Sequence, residues 1–162
     1  MKIVINDCFG GFSLSPLAIK MWAKRKGRQC YFFRNGRDAK GGLSLDILEP
    51  LTLGEAEKEG IFIHAYDIPN PQEVLTKSAD WHDMTDAEKS AHNALYEKHS
   101  LYGRDIPRDD PDLLAVVEAL GDAASGKVAK LAIVEIPDGV EWEIDEYDGL
   151  ESIHEKHRSW SA

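Results

Sequence analysis

The period of hydrophobic and polar positions changes several times along the chain, and the changes mark its elements. Lys2-Ile3-Val4-Ile5-Asn6 is short, β-branched and without Gly or Pro, which predicts a strand. Gly10-Gly11 breaks it. Ser15 then stands as a helix N-cap, with Pro16 at the first helical position, where its missing N–H is no loss. Leu14, Leu17, Ala18, Met21 and Trp22 recur at helical spacing up to Gly27, so one face of this helix turns inward. Gln29 to Phe33 predicts a second strand and Arg34 to Gly42 a polar turn region. Leu43-Ser44-Leu45-Asp46-Ile47 alternates as a third strand with one wet face, ended by Pro50. Ile61 to Tyr66 predicts a fourth, with His64 opposite Ile63 as a surface or hydrogen-bonded histidine.

Pro69 and Pro71 mark a boundary, and residues 69–107 read as an insertion or helical appendage. Within it, Thr85-Asp86-Ala87-Glu88 is a capping box opening a helix to about His99, whose apolar stripe of small residues is thin. Asp110-Pro111 starts another helix, with Leu113, Leu114, Val117, Leu120 and Ala124 on its inner face and Ser125-Gly126 at its end. Lys127 to Ile136 carries aliphatics on both alternating faces, the mark of a strand covered on both sides. After the turn signal Pro137-Asp138-Gly139, Val140, Trp142 and Ile144 alternate with Glu141, Glu143 and Asp145, which predicts a hairpin partner with a dry and an acidic face. Beyond Gly149, Leu150, Ile153, His157 and Trp160 fall on one helical stripe, so a final helix is predicted. These elements imply an α/β or α+β fold in a single domain over 1–162: a mixed sheet of about five or six strands, three or four helices, and a C-terminal antiparallel hairpin followed by a helix.

Composition narrows the classes. The 162 residues suffice for a core, and 43% hydrophobic content is ordinary for a soluble chain. Apolar runs of membrane-span length and a signal-peptide pattern are both missing, and two cysteines, Cys8 and Cys30, fit a reducing cytoplasm. A formal net charge of −10 opposes direct nucleic-acid binding, which needs cations to displace counterions. A homodimer is the ordinary prior for assembly.

Three patterns carry candidate chemistry. The glycine turn between the first strand and the first helix can offer backbone N–H groups to an anion, aided by the helix dipole, although neither a Walker GKS/T nor a GxGxxG sequence is present. Its ligand set would be Phe9, Gly10, Gly11, Phe12, Ser13 and Ser15, with a phosphate paired by Arg104, Arg108 or Arg158 and a base stacked on Phe9, Phe12 or Trp160. Cys8, near a helix N-terminus, is a candidate nucleophile with His154 or His157 as base. Metal chemistry has weaker support. Asp80 to Asp83 lacks partner spacing, His154 to His157 is one residue short of HExxH, and Glu141, Glu143 and Asp145 read first as a solvated strand face. The balance is toward a binding protein without a metal or cofactor.

Two blocks bear a resemblance. Lys2-Ile3-Val4-Ile5-Asn6-Asp7-Cys8-Phe9-Gly10-Gly11-Phe12-Ser13-Leu14-Ser15 is one, and Ala129 to Gly149, running on to His157-Arg158-Ser159-Trp160, is the other. With Asp110-Pro111 and its helix they resemble a family of small uncharacterised bacteriophage and prophage proteins. The resemblance brings no activity and no catalytic residue. It implies a phage accessory protein in the host bacterial cytoplasm. In that setting the first expectation is a binder of a small phosphorylated, nucleotide-type ligand that blunts a host immune signal. The alternative is an acidic inhibitor that uses Glu141 to Glu155 to occupy a host protein's basic surface, with salt-sensitive binding. The third is a hydrolase or transferase built on Cys8.

Overall fold

The computed structural model describes residues 1–75, 78–101, 103 and 106–156. Its elements in order are β1 (Lys2–Asn6), α1 (Pro16–Arg25), β2 (Tyr31–Arg37), β3 (Leu43–Leu51), α2 (Leu53–Glu59), β4 (Ile63–Tyr66), α3 (Pro71–Val74), α4 (Asp86–His99), α5 (Pro111–Leu120), β5 (Leu131–Glu135), β6 (Trp142–Tyr147) and β7 (Leu150–Glu155). The fold is α+β. Among the described residues every strand pair is antiparallel, in three small sheets ordered β1-β5, β3-β2-β4 and β6-β7. The chain divides into two compact units, residues 1–18 with 103–162 and residues 19–102, the first boundary falling inside α1.

The first unit is built on β1. Ile3, Val4 and Ile5 are buried, and β1 pairs with β5 from Lys2↔Glu135 to Asn6↔Leu131. Asp110 caps α5 by accepting from the Asp112 and Leu113 N–H groups, and Leu113, Val116 and Val117 turn inward. Each such aliphatic stabilises the fold by about 1.5–3 kcal/mol through burial. Ser15 caps α1 as predicted, its Oγ accepting from the Ala18 N–H at 3.2 Å.

Three expectations are corrected here. The predicted mixed sheet is replaced by separate antiparallel ones. Residues 140–145 do not pair with the strand before them: β5 takes β1, and β6 takes β7 from Trp142↔Glu155 to Tyr147↔Leu150. The residues after Gly149 form strand β7 rather than a helix, because Asp148 (φ 51°) and Gly149 (φ 87°) make a two-residue turn with both φ values positive, the turn that matches strand twist. His157 and Trp160 of the expected helix lie outside the described residues.

The second unit centres on β2, where Phe32 and Phe33 are buried and Phe33 meets Tyr66 with ring centroids 5.9 Å apart. Strand β3 runs on through Pro50 to Leu51, which an edge strand tolerates. Thr52 and Glu55 form a capping box that opens α2, and Thr85 and Glu88 form the expected one at α4. No α4 residue is buried. Its C-terminal end is tied down by Asp67, which accepts from Arg28 Nε and Nη2 (3.1 and 3.0 Å) and contacts His99 Nδ1 at 2.8 Å. No helix among the described residues is long and apolar enough to cross a membrane.

Candidate functional site

The glycine turn after β1 and the Asp148-Gly149 turn of the β6–β7 hairpin meet in the first unit. Asn6, fully buried, is what joins them. Its Nδ2 donates to the Cys8 and Gly149 carbonyls (2.7 and 2.6 Å), and its Oδ1 accepts from the Lys130 N–H at 2.8 Å. The Asn6 backbone N–H donates to Glu151 Oε2 at 2.8 Å. One amide thus links β1, β5 and β7 and leaves none of its hydrogen-bonding groups idle.

Glu151 is the second buried polar group, 7% exposed. Its Oε1 accepts from Arg108 Nη2 at 2.9 Å, and the Arg108 guanidinium carbon lies 3.2 Å from the centroid of the buried Phe12 ring. This ion pair, stacked on an aromatic face, is an interior structural unit. Arg108 and Phe12 are therefore brought together, but as partners of Glu151.

The glycines are spent on close approach. A Cβ on Gly149 would stand 2.2 Å from the Gly11 nitrogen and 2.7 Å from the Gly10 nitrogen, and one on Gly10 would stand 2.0 Å from the Val128 carbonyl oxygen. The Gly10 and Gly11 amides lie against Gly149. Outside this contact Phe9, Gly10 and Gly11 share a shallow depression of about 360 Å³ with Glu146, Asp148 and Gly149. Phe9 is 65% exposed and Tyr147, between the two rim carboxylates, is 78% exposed. Ser13 accepts from the Gly126 N–H through its carbonyl, and buried Ser15 donates to the Ala123 carbonyl while capping α1. Arg104, Arg158 and Trp160 lie outside the described residues.

Cys8 Sγ is 3.4 Å from both Asn6 Oδ1 and the Val128 carbonyl. His154 sits on the exposed hairpin face, its Nε2 2.9 Å from Ser152 Oγ and 3.9 Å from Asp145 Oδ2. Among the described residues no hydrogen bond joins Cys8 to a histidine. His157 lies outside the described residues. Among the described residues no three His, Cys, Asp or Glu side chains are grouped as a metal site requires.

Charge is divided unevenly. The first unit carries seven Lys and Arg against sixteen Asp and Glu, a net −9, whereas the second carries twelve against thirteen, a net −1. From Leu131 to Glu155 there are nine carboxylates and no Lys or Arg. Register puts Glu143, Asp145 and Tyr147 on one hairpin face, opposite the face that carries Ile144, Glu151 and Ile153. Tyr147 and Asp148 were missing from the ligand site expected from sequence, though they fall within the Glu141 to Glu155 segment of the acidic-inhibitor alternative. Their signal was the Asp-Gly pair at 148–149, which places them at a hairpin tip. Comparison of the chain with protein-family models, with curated proteins and with solved structures finds no match.

Proposed function

We propose that the first unit is an acidic protein-binding module whose β6–β7 hairpin and neighbouring Phe9 turn occupy a basic surface on a host protein, as an accessory inhibitor encoded by a phage. The observation that carries this reading is that two exposed aromatic rings, Phe9 and Tyr147, stand beside Glu146 and Asp148 in a segment, 131–155, with nine carboxylates and no Lys or Arg, of which Asp138 is paired with the Met1 amine and Glu151 with Arg108. Aromatic side chains ringed by charge have the makeup of an interface: the rings supply buried contact area, and the charges steer a partner of opposite sign and exclude others.

The same charges disfavour the phosphorylated-ligand reading at this turn. A phosphate charge 5 Å from either Glu146 or Asp148 would be repelled by about 0.8 kcal/mol even in water, and more where water is excluded. A cationic side chain gains what a phosphate loses.

The test is carboxylate-to-amine cross-linking in host lysate, comparing the native chain with Glu143→Gln/Asp145→Asn/Asp148→Asn and with Tyr147→Ala. A single host protein is expected to cross-link to the native chain at low salt, to disappear at about 0.5 M salt, and to be lost with either variant. Cross-linking that is equal for all three chains would overturn the proposal.

A further inference from the structure

Phe62 in the second unit is out of place by every local rule. Gly60 ends α2 in the left-handed conformation (φ 66°), and two residues later Phe62 adopts φ 59°, a region that bulky side chains rarely enter. Its ring is 84% exposed, so burial returns nothing for the strained backbone. A residue held in an unfavourable backbone state with its apolar side chain in water is a candidate for function.

Beside it lies a groove of about 530 Å³, walled on the apolar side by Phe62 and Leu43, the latter 68% exposed. The polar side carries two arginines in different states. Arg34 is fixed between two carboxylates that also line the groove, with Nε on Glu49 Oε2 at 3.0 Å and Nη1 on Glu59 Oε1 at 2.8 Å, a trio with a net charge of −1. Arg37 donates from Nη1 to the Gly41 carbonyl at 2.8 Å, and among the described residues no carboxylate pairs directly with it, so it is the cation of the groove open to a ligand anion. Asn35 also borders the groove, but its side chain turns to the opposite strand face, where its Oδ1 lies 3.0 Å from His64 Nε2.

We infer that this groove binds a flat aromatic ring bearing an anionic group, of the nucleoside monophosphate class. Phe62 stacks on the ring, and Arg37 pairs with the phosphate through its planar fork. Arg34, already oriented by its two carboxylates, faces the ring edge with little ordering left to undergo. The near-neutral second unit admits an anion that the acidic first unit repels. This site shares no residue with the proposed protein-binding surface, so either can fail alone.

The experiment is calorimetric titration of the full chain with AMP and GMP, with adenosine and ribose 5-phosphate as the ring and the anion alone. Saturable binding of at least one nucleotide is expected, weakened at least about tenfold by Arg37→Ala and by Phe62→Ala, and at least about tenfold tighter than either fragment. Phe62→Gly is expected to lose binding while its Tm equals or exceeds that of the native chain, a combination that a purely structural Phe62 would not give. No saturable binding of either nucleotide up to about 5 mM would overturn the inference, as would binding left unchanged by both alanine substitutions.

Discussion

At the scale of single residues, two buried polar groups hold the first unit together where hydrophobic burial cannot. Asn6 donates twice and accepts from Lys130, and each of those partners is a backbone group. Asn6→Ala strands all three, at about 1–3 kcal/mol for each that water cannot reach. A loss of at least about 3 kcal/mol in chemical denaturation is therefore expected. Glu151 has a double duty, accepting from the Asn6 N–H and from Arg108. Glu151→Gln keeps an acceptor but removes the charge that compensates Arg108, while Glu151→Leu removes both. Both variants are expected to unfold at lower denaturant, Leu before Gln, with the Leu variant losing about 3–5 kcal/mol. In the second unit, burial holds the His64 pKa below its ordinary 6.5. The unfolded chain then binds a proton that the folded chain refuses. Its contribution is intact above about pH 6.5 and is lost as pH falls toward the folded pKa. The Tm of the native chain is expected to drop more between about pH 7.5 and 5.5 than that of His64→Gln.

At the scale of elements, the Asp148-Gly149 turn decides the C-terminal architecture. Gly149 combines φ 87° with a Cβ position 2.2 Å from a backbone nitrogen. Gly149→Ala must shift the Gly10-Gly11 turn as well as strain its own backbone, and a loss above about 3 kcal/mol is expected by denaturation. Asp148→Asn, whose side chain tolerates the left-handed region, should cost less than about 0.5 kcal/mol. This turn also explains where the sequence was legible. Strand β1, the Ser15-Pro16 and Asp110-Pro111 helix starts and the Thr85 capping box announce themselves through local chemistry, and local chemistry survives into the fold. Strand β7 does not. Its inward positions include Glu151, so the expected alternation of apolar residues is broken at the residue that anchors Arg108. Leu150 and Ile153, three apart, then imitate a helix. Helix α2, which the Thr52–Glu55 capping box opens directly after the edge strand that crosses Pro50, was not among the elements expected from sequence. Of the candidate site, Phe9 and the glycines were legible from their turn. The acidic rim facing them was not, because it comes from residues well over a hundred positions away, brought in by the hairpin.

At the scale of the whole molecule, the asymmetry of charge is a stability cost with a compensating use. A net −9 confined to residues 1–18 and 103–162 opposes folding by self-repulsion, whereas the second unit, at −1, is nearly balanced. Exposed carboxylates more than a Debye length apart cease to interact as salt rises, since that length shrinks from about 30 Å at 0.01 M to about 8 Å at 0.15 M. The buried Arg108–Glu151 pair is screened far less, so added salt removes repulsion without removing the main internal attraction. The native chain should therefore melt higher at about 0.3 M than at about 0.02 M salt. Glu143→Gln/Asp145→Asn/Asp148→Asn should melt above the native chain at the lower concentration, and the gap should close at the higher one. If those carboxylates served solubility alone, their removal would cost solubility and leave partner capture intact. If they serve the proposed surface, the more stable variant is the one that no longer captures its partner. Thermal melts at the two salt concentrations, run on the same preparations used for cross-linking, separate the two cases. A variant that melts lower than the native chain at low salt would mean that these charges stabilise the hairpin rather than strain it.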